Sequence, residues 1–165
     1  MPCPRPFQVA LLILSLALPA PALAEDTSVA FGGLTADTTL PVEVKADSLT
    51  VNQSDGAAVF AGNVLVTQGE MRLTAAEIRV DYSADRKGID RLLASGKVLL
   101  VNARDAAEAD QAVYTIATGE VVMTGNVLLT QGQAAMAAER LVINLKTGTG
   151  KLEGRVTTTF VPGKN

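Results

Sequence analysis

The sequence predicts an all-β protein built from stacked short antiparallel strands, and three observations support this fold class. A pattern that runs from a small residue through a β-branched stretch and a turn to a glycine occurs four times. Apolar residues come in short, mostly β-branched or aliphatic runs, and each run is bounded by turn-forming residues. The four glycines are Gly62, Gly96, Gly125 and Gly154, spaced 34, 29 and 29 residues apart. A period of this size is typical of stacked units that bury their apolar faces only against neighbours.

The first and third copies align most closely. Residues 62–69 match residues 125–132 at seven of eight positions without a gap. The first and last copies also keep register, so Ala46 falls on Ala138 and Val64 on Val156. A match of this length indicates that the structural unit repeats as well.

The apolar runs predict strands in chain order, starting with Val42–Ala46 after Pro41 and ending with Val156–Val161 before Pro162. Two segments, Ala103–Ala112 and Gln133–Arg140, are rich in helix-forming residues and would be short helices if they were interpreted alone. The repeat register favours strands instead, because Gln133–Arg140 falls on the strand-like segment Glu70–Glu77.

Glycine-containing turns are predicted between the strands. They are Thr67–Glu70, Asp85–Gly88, Ala117–Glu120, Thr130–Gln133 and Lys146–Gly150.

Two Gly-Asn pairs are not predicted to be turns between strands. Gly62–Asn63 and Gly125–Asn126 interrupt apolar stretches, which is typical of bulges or corners. We expect the inward-facing parity to change there, from Val59 and Ala61 to Val64 and Val66.

The N-terminal segment has the features of a cleaved secretory signal. Arg5 gives a positive start, Val9–Leu18 is an apolar stretch too short to span a bilayer, and Ala22–Ala24 is a small-residue cleavage site. We therefore expect residues 1–24 to be removed, 25–40 to be a flexible segment, 41–162 to form one domain and 163–165 to be a tail. The single cysteine, Cys3, lies in the signal, so no disulfide is expected.

Composition argues against several classes of protein. Removing Arg5 from the 14 basic residues leaves 13 against 17 acidic residues, a formal net charge of −4, which disfavours nucleic acid as a partner. The chain has no histidine and no phosphate loop, nucleophile elbow or paired-carboxylate motif. Asp105, Glu108 and Asp110 lack the spacing of an oxygen-rich cation loop. We expect no enzyme activity, no metal site and no cofactor.

One run, Phe60–Gly69, reads FAGNVLVTQG and carries a resemblance to a known family. Together with Leu40–Asn52, Ala58–Tyr82, Val121–Leu145 and Gly154–Pro162, it resembles the OstA-like domain of the LptA family of lipopolysaccharide-transport proteins. The resemblance implies an OstA-like β-jellyroll, open at both ends, that lies in the periplasm. It also implies an apolar interior groove that holds the acyl chains of lipid A while lipopolysaccharide passes from the inner to the outer membrane.

The same resemblance implies partners: an LptC-like inner-membrane protein, an LptD-like outer-membrane protein and further copies of the chain joined head to tail. Open sheet edges invite such strand pairing. The edge residues are Val42, Glu43, Val44 and Lys45 in the first strand and Val156, Thr157, Thr158, Thr159 and Phe160 in the last.

The expected lipid-binding residues share one feature, an apolar side chain predicted to point inward. They are Val42, Val44, Leu49, Val51, Val59, Val64, Val66, Ile78, Val80, Leu100, Tyr114, Ile116, Val122, Val127, Leu129, Leu141 and Ile143. Composition alone favours an ordinary packed core for these residues, and only the family resemblance favours a lipid-binding interior. Two other functions stay open: a structural β-repeat protein that polymerises through its edges without lipid, and an LptC-type subunit.

Overall fold

The computed structural model describes residues 28–30, 34–103 and 105–160 of the 165-residue chain. The predicted signal peptide, residues 1–24, and the tail, residues 163–165, lie outside these ranges. The described residues form strands and turns, and no helix among them is long and apolar enough to cross a membrane. The strands are β1 (Ser28–Ala30), β2 (Glu43–Lys45), β3 (Ser48–Val51), β4 (Ala58–Gln68), β5 (Met71–Tyr82), β6 (Ile89–Asn102), β7 (Asp105–Thr115), β8 (Glu120–Gln131), β9 (Ala134–Asn144), β10 (Thr149–Glu153) and β11 (Thr157–Phe160).

All pairings are antiparallel, and neighbours in sequence are mostly neighbours in the sheet. The order is β1-β10-β9-β8-β7-β6-β5-β4-β2, while β3 pairs with β4 and β11 pairs with β9. The all-β prediction is therefore confirmed. The two helix-like segments lie largely in β7 and β9, as the repeat register predicted. The local helix propensity of these segments is outweighed by pairing with strands on both sides.

The central strands are longer than the apolar runs suggested, because each has a bend near its middle. Strands β4–β9 contain 11 to 14 residues. At each bend the register shifts, because two residues of one strand face one residue of the neighbouring strand. Gly62–Asn63 face Ala76, and Gly96–Lys97 face Ala76 and Asp110. Gly125–Asn126 face Asp110 and Glu139. The predicted bulges at Gly62 and Gly125 are thus confirmed, and Gly96 forms a third one.

The parity change lies on the strands that face the bulges. Along β4 the buried or core-packed positions stay even, from Ala58 and Phe60 to Val64. On β5 they change from Ala75 to Ile78. The expectation that Val59 and Ala61 point inward is therefore wrong. A bulge of two residues leaves the alternation of inward and outward side chains on its own strand unchanged. It shifts the alternation on the partner strand, where one residue faces the two.

The bulges line up across the sheet and divide it into two halves. Half-sheet A contains β1, β3, β10 and residues 58–61, 77–82, 89–95, 111–115, 120–124 and 140–144. Half-sheet B contains β2, β11 and residues 64–68, 71–74, 98–102, 105–108, 127–131 and 134–138. Buried residues of both halves belong to one hydrophobic cluster, so the sheet folds about the line of bulges and encloses an apolar interior.

Four strands have a single pairing partner among the described residues. β2 and β3 lie beyond β4 at one end, and β1 and β11 lie beyond β10 and β9 at the other. The predicted edge strands at Val42–Ala46 and Val156–Val161 correspond to β2 and β11. Each end of the molecule therefore presents backbone groups that can pair with another strand.

Candidate functional site

The middle of the interior is filled by apolar side chains that contact one another. Leu73, Ile78, Leu92, Leu100 and Ile143 are each 0–2% exposed and lie in the same cluster. A lipid chain in this region would have to separate packed side chains, since interiors of this kind contain little empty space.

At the two ends, the inner face is exposed. Leu49 and Val51 lie opposite Phe60 and Ala58, so they share the inner face, yet they are 55% and 60% exposed. At the other end Phe160 lies opposite Ala134 and is 72% exposed. Val156, which occupies the repeat position of the buried Val64, is also exposed. Each end thus displays apolar side chains that would be buried if the sheet continued.

Most residues predicted to line the interior are on the inner face. Ten are buried: Val64, Val66, Ile78, Val80, Leu100, Tyr114, Val127, Leu129, Leu141 and Ile143. Three are half-buried and pack against the cluster: Val42, Val44 and Ile116. Their binding of lipid stays a prediction.

Val59 and Val122 are on the outer face, so the prediction that they point inward is wrong. Val59 lies opposite Arg79, and Val122 lies between Val113 and Val142, whereas their chain neighbours Ala58 and Val121 are buried. Sequence analysis also missed inner-face residues. They include Leu34, Phe60, Met71, Leu73, Leu92, Val98, Met123, Leu145 and Leu152. A strand-by-strand parity assignment would have found most of these, but it required the bulge positions on both partner strands.

A row of polar side chains interrupts the apolar inner face of half-sheet B. Gln68 and Asn102 occur six residues after Gly62 and Gly96 and are buried, and Gln131 occurs six residues after Gly125. Asp105 lies between Asn102 and Gln131 in the sheet, is buried, and accepts a hydrogen bond from Gln131 Nε2 at 3.1 Å. In the fourth copy the equivalent position is Phe160. The repeated polar residue at an inward position was the sequence signal for this row.

Tyr114 connects the two half-sheets through the interior. Its hydroxyl, in half-sheet A, donates to Gln68 Oε1 in half-sheet B at 2.7 Å. Burial raises the pKa of Tyr114 to about 12, because the phenolate would be poorly solvated there. The hydroxyl therefore stays protonated and able to donate at neutral pH.

Residues 34–42, which we call the N-terminal strap, run between the half-sheets. Leu34 is fully buried in the apolar cluster, and Ala36 N–H donates to the Leu145 carbonyl at 2.9 Å. Gln68 Nε2 donates to the carbonyls of Thr38 at 3.1 Å and Leu40 at 2.8 Å. The structure therefore differs from the expected flexible segment over residues 34–40.

The strap has a turn of its own. Asp37 Oδ1 accepts hydrogen bonds from the Thr39 hydroxyl at 2.6 Å and the Thr39 N–H at 3.0 Å. Both hydrogen bonds lower the pKa of Asp37, and the bond from the hydroxyl contributes more than the bond from the N–H. The Leu40 N–H also donates to the Asp37 carbonyl at 3.4 Å, so residues 37–40 form a turn.

The acidic residues considered for a cation site point apart. Asp105 faces inward, whereas Asp110 is exposed and accepts a hydrogen bond from Asn126 Nδ2 at 2.8 Å. Within the described ranges no three His, Cys, Asp or Glu side chains are grouped so that they could hold a metal ion.

Comparison with known sequences points to one family. The family model described as "LptA/(LptD N-terminal domain) LPS transport protein" matches residues 43–149. An uncharacterized protein of Rhizobium meliloti (strain 1021) is 29% identical over 109 residues, which cover 62% of this chain and 59% of that protein. The lipopolysaccharide export system protein LptA of Escherichia coli (strain K12) is 28% identical over 124 residues, which cover 72% of this chain and 66% of that protein. The chain spans less than two thirds of the length of either relative.

Comparison with solved structures identifies the same architecture. The crystal structure of LptH, described as the LptA homologous periplasmic component of the lipopolysaccharide transport device of Pseudomonas aeruginosa, superposes with a TM-score of 0.69. The match covers 77% of this chain and 99% of that chain, at 19% sequence identity. At this identity the likeness establishes the fold.

Proposed function

Because the chain belongs to the LptA/(LptD N-terminal domain) LPS transport protein family, we propose that it binds lipopolysaccharide in the periplasm and carries it from the inner to the outer membrane. On this proposal residues 1–24 are a cleaved signal peptide that directs export, and the domain 41–162 is the working part. The match to the family model over 43–149 is the observation that carries the proposal.

The apolar interior supports lipid binding by a simple physical mechanism. Burial of apolar surface is worth about 25 cal/mol per Å² whether the surface belongs to a side chain or to an acyl chain. The exposed inner-face residues Leu49 and Val51 at one end and Phe160 at the other offer the first contacts. From there an acyl chain moves toward the buried part of the same face, where it gains apolar contact as the packed side chains separate.

The edge strands support assembly end to end. β2 and β3 at one end and β11 at the other expose backbone groups of antiparallel strands. Pairing of β11 with β2 or β3 of the next copy would join two sheets and bring the two exposed apolar ends together. On this proposal the same edges pair with an LptC-like protein at the inner membrane and an LptD-like protein at the outer membrane.

Site-specific photo-crosslinking tests the proposal. A photoreactive amino acid at Val44 or Ile143, on the inner face, is expected to form adducts with lipopolysaccharide in cells. The matched control is Val142, the chain neighbour of Ile143, which is half-buried on the outer face. Equal labelling at positions 142 and 143, or no adduct at any inner position, would contradict the proposal. Filaments that form without bound lipid would favour a purely structural polymer instead.

A further inference from the structure

The N-terminal strap, residues 34–42, fills part of the interior that an acyl chain would need. Leu34 is fully buried in the cluster, and Ala36 and Val42 pack against it from outside the main ladder. The strap therefore occupies apolar space that lies between the half-sheets.

The attachment of the strap depends on side chains rather than on a strand ladder. Among the described residues, residues 34–40 are joined to the half-sheets by one backbone hydrogen bond, from Ala36 N–H, and by three bonds from the amides of Gln68 and Asn102. A segment held this way can detach while the paired strands stay intact.

Gln68 and Asn102 are buried, and carbonyl groups of the strap accept hydrogen bonds from their side-chain amides. Gln68 is 1% exposed and uses both N–H groups on strap carbonyls, while its oxygen accepts from Tyr114. Asn102 Nδ2 donates to the Thr35 carbonyl at 2.5 Å, but Asn102 Oδ1 is buried with no hydrogen-bond partner among the described residues. Detachment would admit water to that oxygen, which partly offsets the loss of the strap contacts.

We propose that the strap is a displaceable cover of the interior, held by Gln68 and Asn102, and that an acyl chain must displace it to reach the buried inner face. This inference rests on the proposed lipid binding. Gln68 is a positioning residue in this scheme, because it holds the strap on one side and Tyr114 of the opposite half-sheet on the other.

Cysteine accessibility tests whether Gln68 holds the strap. The chain after the predicted signal has no cysteine, so Ala36→Cys introduces a single thiol that reports on strap opening by its rate of maleimide labelling. Adding Gln68→Leu, which removes three hydrogen bonds, is expected to raise this rate about tenfold or more. The matched control is Gln111→Leu, the same change at an exposed outer position, and it should leave the rate unchanged. Circular dichroism checks that each variant is folded.

Lipid uptake tests whether the strap covers the interior. Fluorescent lipopolysaccharide mixed with each lipid-free protein should be taken up several-fold faster by Gln68→Leu than by the parent or by Gln111→Leu. Equal uptake by Gln68→Leu and the parent, or equal labelling at position 36, would overturn the inference while lipid binding stands. If none of the proteins takes up lipopolysaccharide, the proposed function fails, and labelling alone still decides whether Gln68 holds the strap.

Discussion

Each corner of the sheet depends on a glycine that a side chain from a neighbouring segment, earlier in the chain, approaches closely. Gly125 has a φ of +80°, and a Cβ placed there would lie 2.5 Å from Asp110 Oδ2 and 3.0 Å from Asp110 Cβ. Asp47 approaches Gly62 in the same way, and Ala76 does so at Gly96. Ala76 has no polar group, so the feature that these three corners share is the close approach to the glycine. The hydrogen bonds that Asp47 accepts from Asn63 and Asp110 accepts from Asn126 are additional.

Replacing Gly125 by alanine should therefore destabilise the protein strongly. We expect the free energy of unfolding to fall by about 2–4 kcal/mol, from backbone strain at positive φ and from the clash with Asp110. Urea-induced unfolding measures this change.

Gly132→Ala is the matched control for the corner. Gly132 also has positive φ, +57°, but nothing lies within 4 Å of its hypothetical Cβ. A loss of about 1 kcal/mol is expected from the backbone alone. Equal losses at positions 125 and 132 would show that the close approach of Asp110 has no energetic weight.

At the level of strands, the sequence predicted the strand class, the five glycine-containing turns and the bulges at Gly62 and Gly125, but not the bulge at Gly96. The repeat register correctly assigned Gln133–Arg140 to a strand against its local helix propensity. Inward parity could not be assigned fully, because it depends on which of two paired strands carries the extra residue at a bulge. Val59 and Val122 were misplaced for that reason.

The last strand, β11, offers a test of assembly. Phe160 is largely exposed on the inner face, so Phe160→Asp would bring a charge into the proposed apolar contact between two copies. We expect at least a tenfold loss of self-association, measured by analytical ultracentrifugation. Thr159→Asp places the same charge on the opposite face of β11, and it should have a much smaller effect. Equal effects of the two variants would exclude an apolar contact at this end.

Across the whole molecule, the hydrogen bond between Tyr114 and Gln68 ties one half-sheet to the other. The folded pKa of about 12 exceeds the ordinary value of 10.0. Stability from the protonated hydroxyl is therefore fully present below pH 10 and is lost as the pH rises toward 12.

Comparison with Tyr114→Phe isolates this contribution. Between pH 10 and 12 the parent should lose up to about 2–3 kcal/mol of unfolding free energy relative to Tyr114→Phe. Chemical denaturation at a series of pH values gives both curves, and other titrating groups affect the two proteins alike. Parallel curves would mean that the phenol is solvated when the protein is folded.

The apolar character of the interior could be predicted from the sequence, whereas the strap could not. Residues 34–40 have little periodicity, and their position depends on Gln68 and Asn102, which are distant in sequence. Short-range patterns do not encode such contacts. The repeated polar residue six positions after each of three glycines marks the place where they form, but it does not identify the partner.

The alternation of glycine-bearing strands with strands that approach them makes the hairpin, rather than the single strand, the unit of the architecture. Adding one strand alone would leave a bulge without the residue that faces it. Duplication of a segment of 29 to 34 residues preserves every corner. Such a protein can therefore gain length by adding two strands at a time, and each added hairpin increases by the same amount the distance that the protein spans.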